Sequence, residues 1–353
     1  MKKLKNSLSV VMVPLLSILL ALLIGCIIML ALGKNPLLAM QYLFKGAFGS
    51  KANLGTTFTK ATPLIFTALC ACFAYKCGVF NLGGEGQFIV GSIAAYLVAY
   101  LSGVTGFAGI LLALLAGTLA GGFWGMIPGV LKIARGQNEM IISIMLNYVA
   151  TLFMGVIYTN WFRDASVPQT IQVAEEVKLP RVFPSMRFSW GFVIALVLGF
   201  VLYYVLFCTS SGFKLRAVGY NMTAARFNGF PVKRLMLVSF IVSGAIAGLG
   251  GASELLGTQY RLINGYGAGY GFDGVAMALI GQLHPLATIV VAIFFAALRA
   301  GSTAMQAATG VPTSVSDIIQ ALVIVFSVAG MAMVKLPEFE AFKNRFFGKK
   351  KEG

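Results

Sequence analysis

The sequence predicts an all-α fold: a polytopic helical membrane protein of about ten transmembrane segments. Three observations carry that prediction. The 353 residues are 58% hydrophobic and only 11% charged, where an average soluble domain carries about 25% charged residues. Mean hydropathy is +0.87. Apolar stretches of spanning or near-spanning length recur along the chain, with the charges falling between them. A soluble chain of this length would need roughly two or three domains, and nothing here is polar enough to cover them. Disorder needs low hydrophobicity and high charge, so it is excluded as well.

The first span follows a basic start, Lys2, Lys3 and Lys5. Its apolar run, residues 8–32, is longer than the core of a signal peptide, and no A-x-A site follows, so it reads as uncleaved. Leu23-Ile24-Gly25-Cys26 matches a lipoprotein cleavage box by chance, since many spans come after it. Further segments run at 61–79, 87–101, 107–131, 140–161, 189–208, 235–256 and 313–334. The stretch 272–300 holds His284-Pro285. Proline removes a backbone donor and disfavours helix in the residue before it, so this stretch is one kinked span or two short ones.

Charge and parity bear on that choice. The net charge is +16, and basic loops between spans are what orient a membrane protein; nucleic-acid binding is not implied. Lys2, Lys3 and Lys5 place the N-terminus inside. Lys335, Lys343, Arg345, Lys349, Lys350 and Lys351 place the C-terminus inside too. Two ends on one side need an even number of crossings, which a break at Pro285 supplies; the alternative keeps that helix whole and makes another segment, such as 61–79, re-entrant. Short broken helices around Pro285 are tolerated at membrane depth only inside protein or beside a water-filled path, and they point to transport sites. The loop 33–60, with Lys34, Lys45, Lys51 and Lys60 and no acid, runs against this orientation.

Little of the chain suggests chemistry. There is no GxxxxGK[ST], GxSxG or HExxH, and a single His cannot support a His-rich metal site. No cofactor or metal is expected. The five Cys lie in or beside apolar runs without a CxxC, as buried thiols do. Gly265, Gly267, Gly269 and Gly271 follow no strand and read as a loop leading into a short helix. Gly117, Gly121, Gly125 and Gly129 recur every four residues, as do Gly244, Gly248 and Ala252. Such stripes serve close helix packing or a sliding surface used in transport.

Most acids sit at helix starts, where a carboxylate gains from the helix dipole. Glu85, in Asn81-Leu82-Gly83-Gly84-Glu85-Gly86-Gln87, is either such a cap or part of a polar path with Asn81 and Gln87. Glu139, Asp273 and Asp317 occupy comparable positions. Glu254, late in its segment, is the better candidate for a buried polar contact or an outer vestibule. Asn138, Asn147 and Gln282 are further polar side chains available to a path. An ion-coupled carrier would place ionisable groups mid-span, so any energy for transport is expected from a partner.

Residues 209–235 are the most informative loop, with Lys214, Arg216, Arg226, Lys233 and Arg234 and no acid. Thr223 to Phe227 form a short helix with Asn221 as its cap, stopped by Gly229 and Pro231. The small Ala224 and Ala225 favour docking into a partner's groove over lying on lipid.

Three stretches then carry a family resemblance. Phe80 to Gln87 is similar to an N-I/L-G-x-E-G-Q run. Arg216-Ala217-Val218-Gly219-Tyr220-Asn221 through Ala224-Ala225 to Asn228-Gly229 is similar to an R-A-x-G-x-N loop. Gly271-Phe272-Asp273-Gly274-Val275-Ala276-Met277-Ala278-Leu279-Ile280-Gly281 is like the family's stretch before a break. In this order the chain resembles the membrane-spanning permease subunit of a bacterial ABC importer. The branch holds ribose-type sugar, branched-chain amino-acid and nucleoside permeases, and the match is best to the larger permease of nucleoside importers. The resemblance implies an ATPase-coupling loop at Gly219, Asn221, Ala224, Ala225, Asn228 and Gly229, and path candidates at Asn81, Glu85, Gln87 and Asp273. It implies three partners: an ABC ATPase, a second permease forming a heterodimer, and an extracytoplasmic substrate-binding lipoprotein. The chain is then a transport subunit and not an enzyme, in the bacterial cytoplasmic membrane with both ends inside, divided into 1–60, a permease core at 61–334 and a basic tail at 335–353. Nucleosides are the expected solute, with a simple sugar as the alternative and an ion-coupled carrier behind it.

Overall fold

The computed structural model describes residues 2–164 and 167–333; the basic tail at 335–353 lies outside them. Among the described residues there are thirteen α-helices and no strand beyond isolated bridges. In order they are α1 (Lys2–Ala31), α2 (Pro36–Phe48), α3 (Lys51–Lys76), α4 (Gly84–Leu101), α5 (Gly106–Arg135), α6 (Glu139–Val156) and α7 (Trp190–Cys208). There follow α8 (Ser210–Tyr220), α9 (Met222–Phe227), α10 (Val232–Glu254), α11 (Tyr270–Ile280), α12 (Pro285–Thr309) and α13 (Thr313–Met333). Nine helices, all but α2, α8, α9 and α11, are long and apolar enough to cross a bilayer.

The break at Pro285 falls in a turn at 281–284, and it is asymmetric. The segment before it, α11, has 11 residues, and α12 after it has 25, so only one of the two pieces is short. The loop expected at 33–60 is largely helical, because α3 starts at Lys51, ten residues before the apolar run. Ser50 supplies the reason: its side chain accepts a hydrogen bond from the Asn53 N–H at 3.1 Å, closing the helix start ahead of the apolar residues.

The chain forms two compact units. In the first, drawn from residues 1–46 and 301–353, α1 and α13 pack antiparallel. A Cβ placed on Gly25 would lie 2.5 Å from the Ile319 side chain, while Lys34 reaches Gly310 one helix-end further on. The C-terminal end of α1 therefore meets the N-terminal end of α13.

The second unit, 47–300, is built on a three-helix seam. On α5, Gly117, Gly121, Gly125 and Gly129 face α10 in antiparallel register. A Cβ on Gly121 would lie 2.5 Å from the Gly244 carbonyl oxygen, and one on Gly125 would lie 2.6 Å from that of Phe240. Gly91 of α4 meets Gly248 in the same place, at 2.4 Å. The stripes thus bring backbone against backbone. The opposite face of α5 carries exposed Leu111, Leu115, Leu119 and Phe123, an apolar row that suits lipid.

At one end of this unit lies the 209–235 loop, with Lys76, Lys132 and Arg135 on the helix ends around it. At the other, residues 167–188 fold over α10. Leu179 N–H donates to Leu256 O at 2.8 Å, Val173 N–H to Tyr260 O at 3.0 Å and Thr170 N–H to Leu262 O at 3.0 Å. These carbonyls come from the π-helical turn Leu255–Gln259 and the residues after it. Of the cysteines, Cys70, Cys72 and Cys77 are buried, whereas Cys208 is exposed. The last turn of α7 turns Cys208 outward, which apolar context alone did not reveal.

Candidate functional site

The segment 77–83 does not simply connect α3 to α4. It folds back along α3, so that α4 begins at Gly84 beside Cys70, more than one turn above the end of α3. Such a start needs buried polar groups to hold it, and the sequence supplies amides. Asn81 and Gln87 exchange two hydrogen bonds, Nδ2 to Oε1 and Nε2 to Oδ1, each 3.0 Å. Asn81 Nδ2 also donates to Ser243 Oγ of α10 at 2.8 Å, and its Oδ1 accepts the Gly83 N–H at 2.9 Å. Asn147 of α6 clamps the same turn: Oδ1 accepts the Gly86 N–H at 2.8 Å, and Nδ2 donates to Leu82 O at 2.9 Å. Asn81 and Gln87 are each 1% exposed. Both are satisfied within the protein, as buried amides must be.

Glu85 points the other way. In the first turn of α4 it is half-buried, and its Oε2 accepts the Gly269 N–H at 3.0 Å. Gly269 is the residue before α11, so Glu85 sits at the starts of two helices, its own and α11. The approach is close: a Cβ on Gly271 would lie 2.4 Å from the Glu85 nitrogen. The turns that deliver α11 there use Gly265, Gly267 and Gly269, all left-handed with φ between 74° and 82°, a conformation glycine adopts at no steric cost. The expected glycine loop before a short helix is what the structure shows. An acid beside a helix start is favoured by the helix dipole, so Glu85 fills the capping role across chains of helix as well as within its own.

Beside Glu85 lies a cavity of about 210 Å³, lined by Asn147, Tyr148 and Thr151 of α6, Ile89 of α4, Tyr266 of the glycine loop and Phe272 of α11. Tyr148 and Phe272 are exposed, and Tyr266 is buried with its hydroxyl donating to Gly251 O at 3.0 Å. Of the four path candidates, Glu85 lines this cavity; Asn81 and Gln87 stand behind it in the amide network. Asp273 is one turn into α11, where its carboxylate pairs with Arg299 of α12 at 2.5 Å. Lys60 Nζ donates to the Arg299 carbonyl at 2.9 Å. Glu254 is buried, with Oε1 3.4 Å from Gln259 Nε2 and Oε2 without a hydrogen bond. At the start of α6, Asn138 is the cap and accepts the Met140 N–H, while Glu139 pairs with Lys132 at 2.5 Å.

Sequence reasoning named Asn147 only among polar side chains, and it did not single out Tyr148, Tyr266 or Arg299. Arg299 had a usable signal, a charge inside an apolar stretch. The aromatics had none, since an aromatic at helical spacing looks the same facing lipid, core or cavity.

The 209–235 loop is two helices, α8 and α9, closed by caps. Asn221 Oδ1 accepts the Ala224 N–H at 2.9 Å. Asn228 Nδ2 donates to Ala224 O at 2.9 Å. Gly229 turns left-handed at φ 76° to leave α9. Gly219 lets α8 touch α3, since a Cβ there would lie 2.2 Å from Lys76 O. Ala225 is buried and Ala224 exposed. Tyr220 and Phe227 are 84% and 86% exposed. Arg226, Lys233 and Lys132 line a cavity of about 360 Å³ with Met222, Phe227 and Met236. The pair is short, capped, basic and aromatic-tipped, with α8 packed against α3 through Gly219, and with Tyr220 and Phe227 left exposed.

The fold and its sequence define the class. The chain belongs to the family of the branched-chain amino acid transport system permease component, which it matches over residues 53–328. It is a multi-pass membrane transport subunit, not an enzyme. Among its relatives, it is 35% identical over 332 residues to the guanosine ABC transporter permease protein NupP of Bacillus subtilis, covering 92% of this chain and 95% of that one. It is 32% identical to the nucleoside ABC transporter permease protein NupB of Lactococcus lactis, over 97% of both chains. The glucose ABC transporter permease protein TsgB13 of Haloferax volcanii is also 32% identical, over 89% of this chain and 86% of its own.

Proposed function

We propose that this chain is the membrane-spanning permease of an ATP-driven ABC importer that carries nucleosides across the cytoplasmic membrane. The observation that carries the reading is the near-complete alignment with the guanosine and nucleoside permeases, over 92% and 97% of this chain. ATP hydrolysis takes place on a separate ATPase subunit that grips α8 and α9. Gly219, Asn221, Ala224, Ala225, Asn228 and Gly229 shape that contact: the two Asn cap, the two Gly allow the close approach and the exit turn, and the Ala pair keeps the helix narrow. A second, different permease completes the pore, and a lipid-anchored binding protein delivers solute on the opposite face.

Orientation follows from charge. In residues 47–300 the loop face carries Lys76, Lys132, Arg135, Lys214, Arg216, Arg226, Lys233 and Arg234, with Glu139 as its acid. By the basic-inside rule that face is cytoplasmic, and so are both chain ends. Glu85 belongs to the translocation path, with Asn81 and Gln87 holding the start of α4 behind it and Asp273 fixing α11 through Arg299. Coupling requires the ATPase to bind the two states of this subunit with different free energies.

A sugar importer is the second reading, favoured by the identity with the glucose permease. Uptake of labelled guanosine and uridine in cells with and without the gene separates the two. Loss of uptake on deletion, with no competition by excess ribose in intact cells, is expected. Unchanged nucleoside uptake, with the protein present in the membrane, sinks the nucleoside assignment and leaves the sugar reading. Removal of Thr223–Asn228 tests the loop: the protein should still insert, and uptake should vanish.

A further inference from the structure

The Glu85 cavity is placed for more than passage. At about 210 Å³ it is smaller than the roughly 300–1,000 Å³ of sites that bury a whole drug-sized ligand, so it holds part of a solute. What it offers is a carboxyl group and two aromatic rings on different helices. A carboxylate has about four acceptor positions. The Gly269 N–H engages Glu85 Oε2 from the α11 side at 3.0 Å, and the remaining capacity borders the cavity. Tyr148 comes from α6 and Phe272 from α11, both exposed and both lining the space. Asn147 sits in the wall, but its amide oxygen and nitrogen are already spent on Gly86 and Leu82, so Glu85 is the chief polar group available to a ligand there.

This combination suits a flat, aromatic group with adjacent donors. We propose that the cavity is a nucleobase subsite, in which the base lies against Tyr148 and Phe272 and presents two neighbouring N–H donors to Glu85. Guanine has such an edge, N1–H beside its 2-amino group. Uracil does not: its single N3–H is flanked by two carbonyl oxygens that a carboxylate repels. A furanose or pyranose has hydroxyl donors but no flat face for the rings. The permease then discriminates among bases itself, at a point downstream of any binding protein. This inference rests on the nucleoside reading above.

The test compares two solutes in one protein. Uptake of labelled guanosine and uridine is measured through the complete transporter in wild type, Glu85→Gln, Tyr148→Leu and Phe272→Leu; inosine, which lacks the 2-amino donor, replaces uridine if uridine is not carried. Glu85→Gln is expected to lower guanosine uptake about tenfold more than uptake of the comparison solute, the scale of a lost hydrogen bond to a charged group. The two aromatic variants, at exposed positions, should raise the guanosine KM at an unchanged amount of membrane protein. A folding defect lowers both solutes by one factor, so the ratio reads recognition alone. Equal losses for both solutes in Glu85→Gln, with no change in KM for the aromatic variants, overturn the subsite and leave the nucleoside importer standing. A wild-type transporter that carries neither solute overturns the nucleoside reading and the subsite together.

Discussion

The glycine seam of α4, α5 and α10 and the short helix α11 solve the same problem in opposite ways. Both bring helices to backbone contact inside the membrane. In the seam the contact is distributed along long, regular helices, with Gly117, Gly121, Gly244 and Gly248 in register and no polar side chain required. At α11 the contact is made at two points of one short helix, Gly271 against Glu85 of α4 and Gly274 against the Thr67–Ala68 backbone of α3, and it is flanked by irregular backbone on both sides. The glycine loop leads in. A turn leads out, and in it Gln282 and Leu283 both have left-handed φ, 53° and 56°, which costs about 1–2 kcal/mol per residue. The far end of that turn, His284, packs at a tilt against Tyr203 and Phe207 of α7, and Arg216 of α8 lies over the same Phe207 ring. One region is a frame. The other is a short lever: Phe272 in its first turn lines the cavity, and the turn after it reaches Phe207, the ring under Arg216.

One added methyl group in each region tests the difference. Gly248→Ala places a Cβ 2.3 Å from Gly117 O and 2.8 Å from Gly121 Cα. Those are backbone atoms of a long helix and cannot move aside. A loss at or above the roughly 1–3 kcal/mol of overpacking is expected, seen as little folded protein in detergent melting. Gly271→Ala makes an equally short contact, but the glycine loop can yield. Its melting temperature should fall less than that of Gly248→Ala, while uptake is lost because α11 is pushed off Glu85. Equal melting losses would erase the distinction between frame and lever.

The amide network lies between the two regions and should show an intermediate effect. Asn81→Ala strands the Gln87 amide and the Gly83 N–H in a buried site, and it removes the donor to Ser243 Oγ, which keeps its own bond to Phe240 O. A cost of about 1–3 kcal/mol is expected, measurable as a lower melting temperature with insertion intact. The smallest effect is chemical. Cys77 sits where α3 meets the loop, and burial pushes its thiol up to about 12, so almost none is the reactive thiolate near neutral pH. Cys208 is exposed. A maleimide should label Cys208 and leave Cys77 untouched; labelling of Cys77 during turnover would mark the junction as one that opens.

Much of this was legible in residue order. Spans follow from apolar length, because a bilayer core demands it. The cap at Asn221 follows from local chemistry and the glycine stripes follow from spacing, whereas Asn138, read as a polar side chain for a path, is the cap of α6. The loop at 209–235 declared itself through charge. Glu85 was recognised as an acid at a helix start, and that much needs only its neighbours.

Tertiary structure alone decided the rest. Asn81, Glu85 and Gln87 look alike on paper, three polar residues within seven positions, yet two are consumed in a buried amide pair and one borders a cavity. Only the fold-back of residues 77–83 and the arrival of Gly269, 184 residues later, separate them. The same holds for Asp273 and Arg299, and for Tyr148 and Phe272. Residue order settles the class of protein and most of its spans, since membrane insertion and capping depend on neighbours along the chain. Which polar groups are satisfied, and which remain for a solute, depends on partners brought together from distant helices, and local pattern carries no record of them.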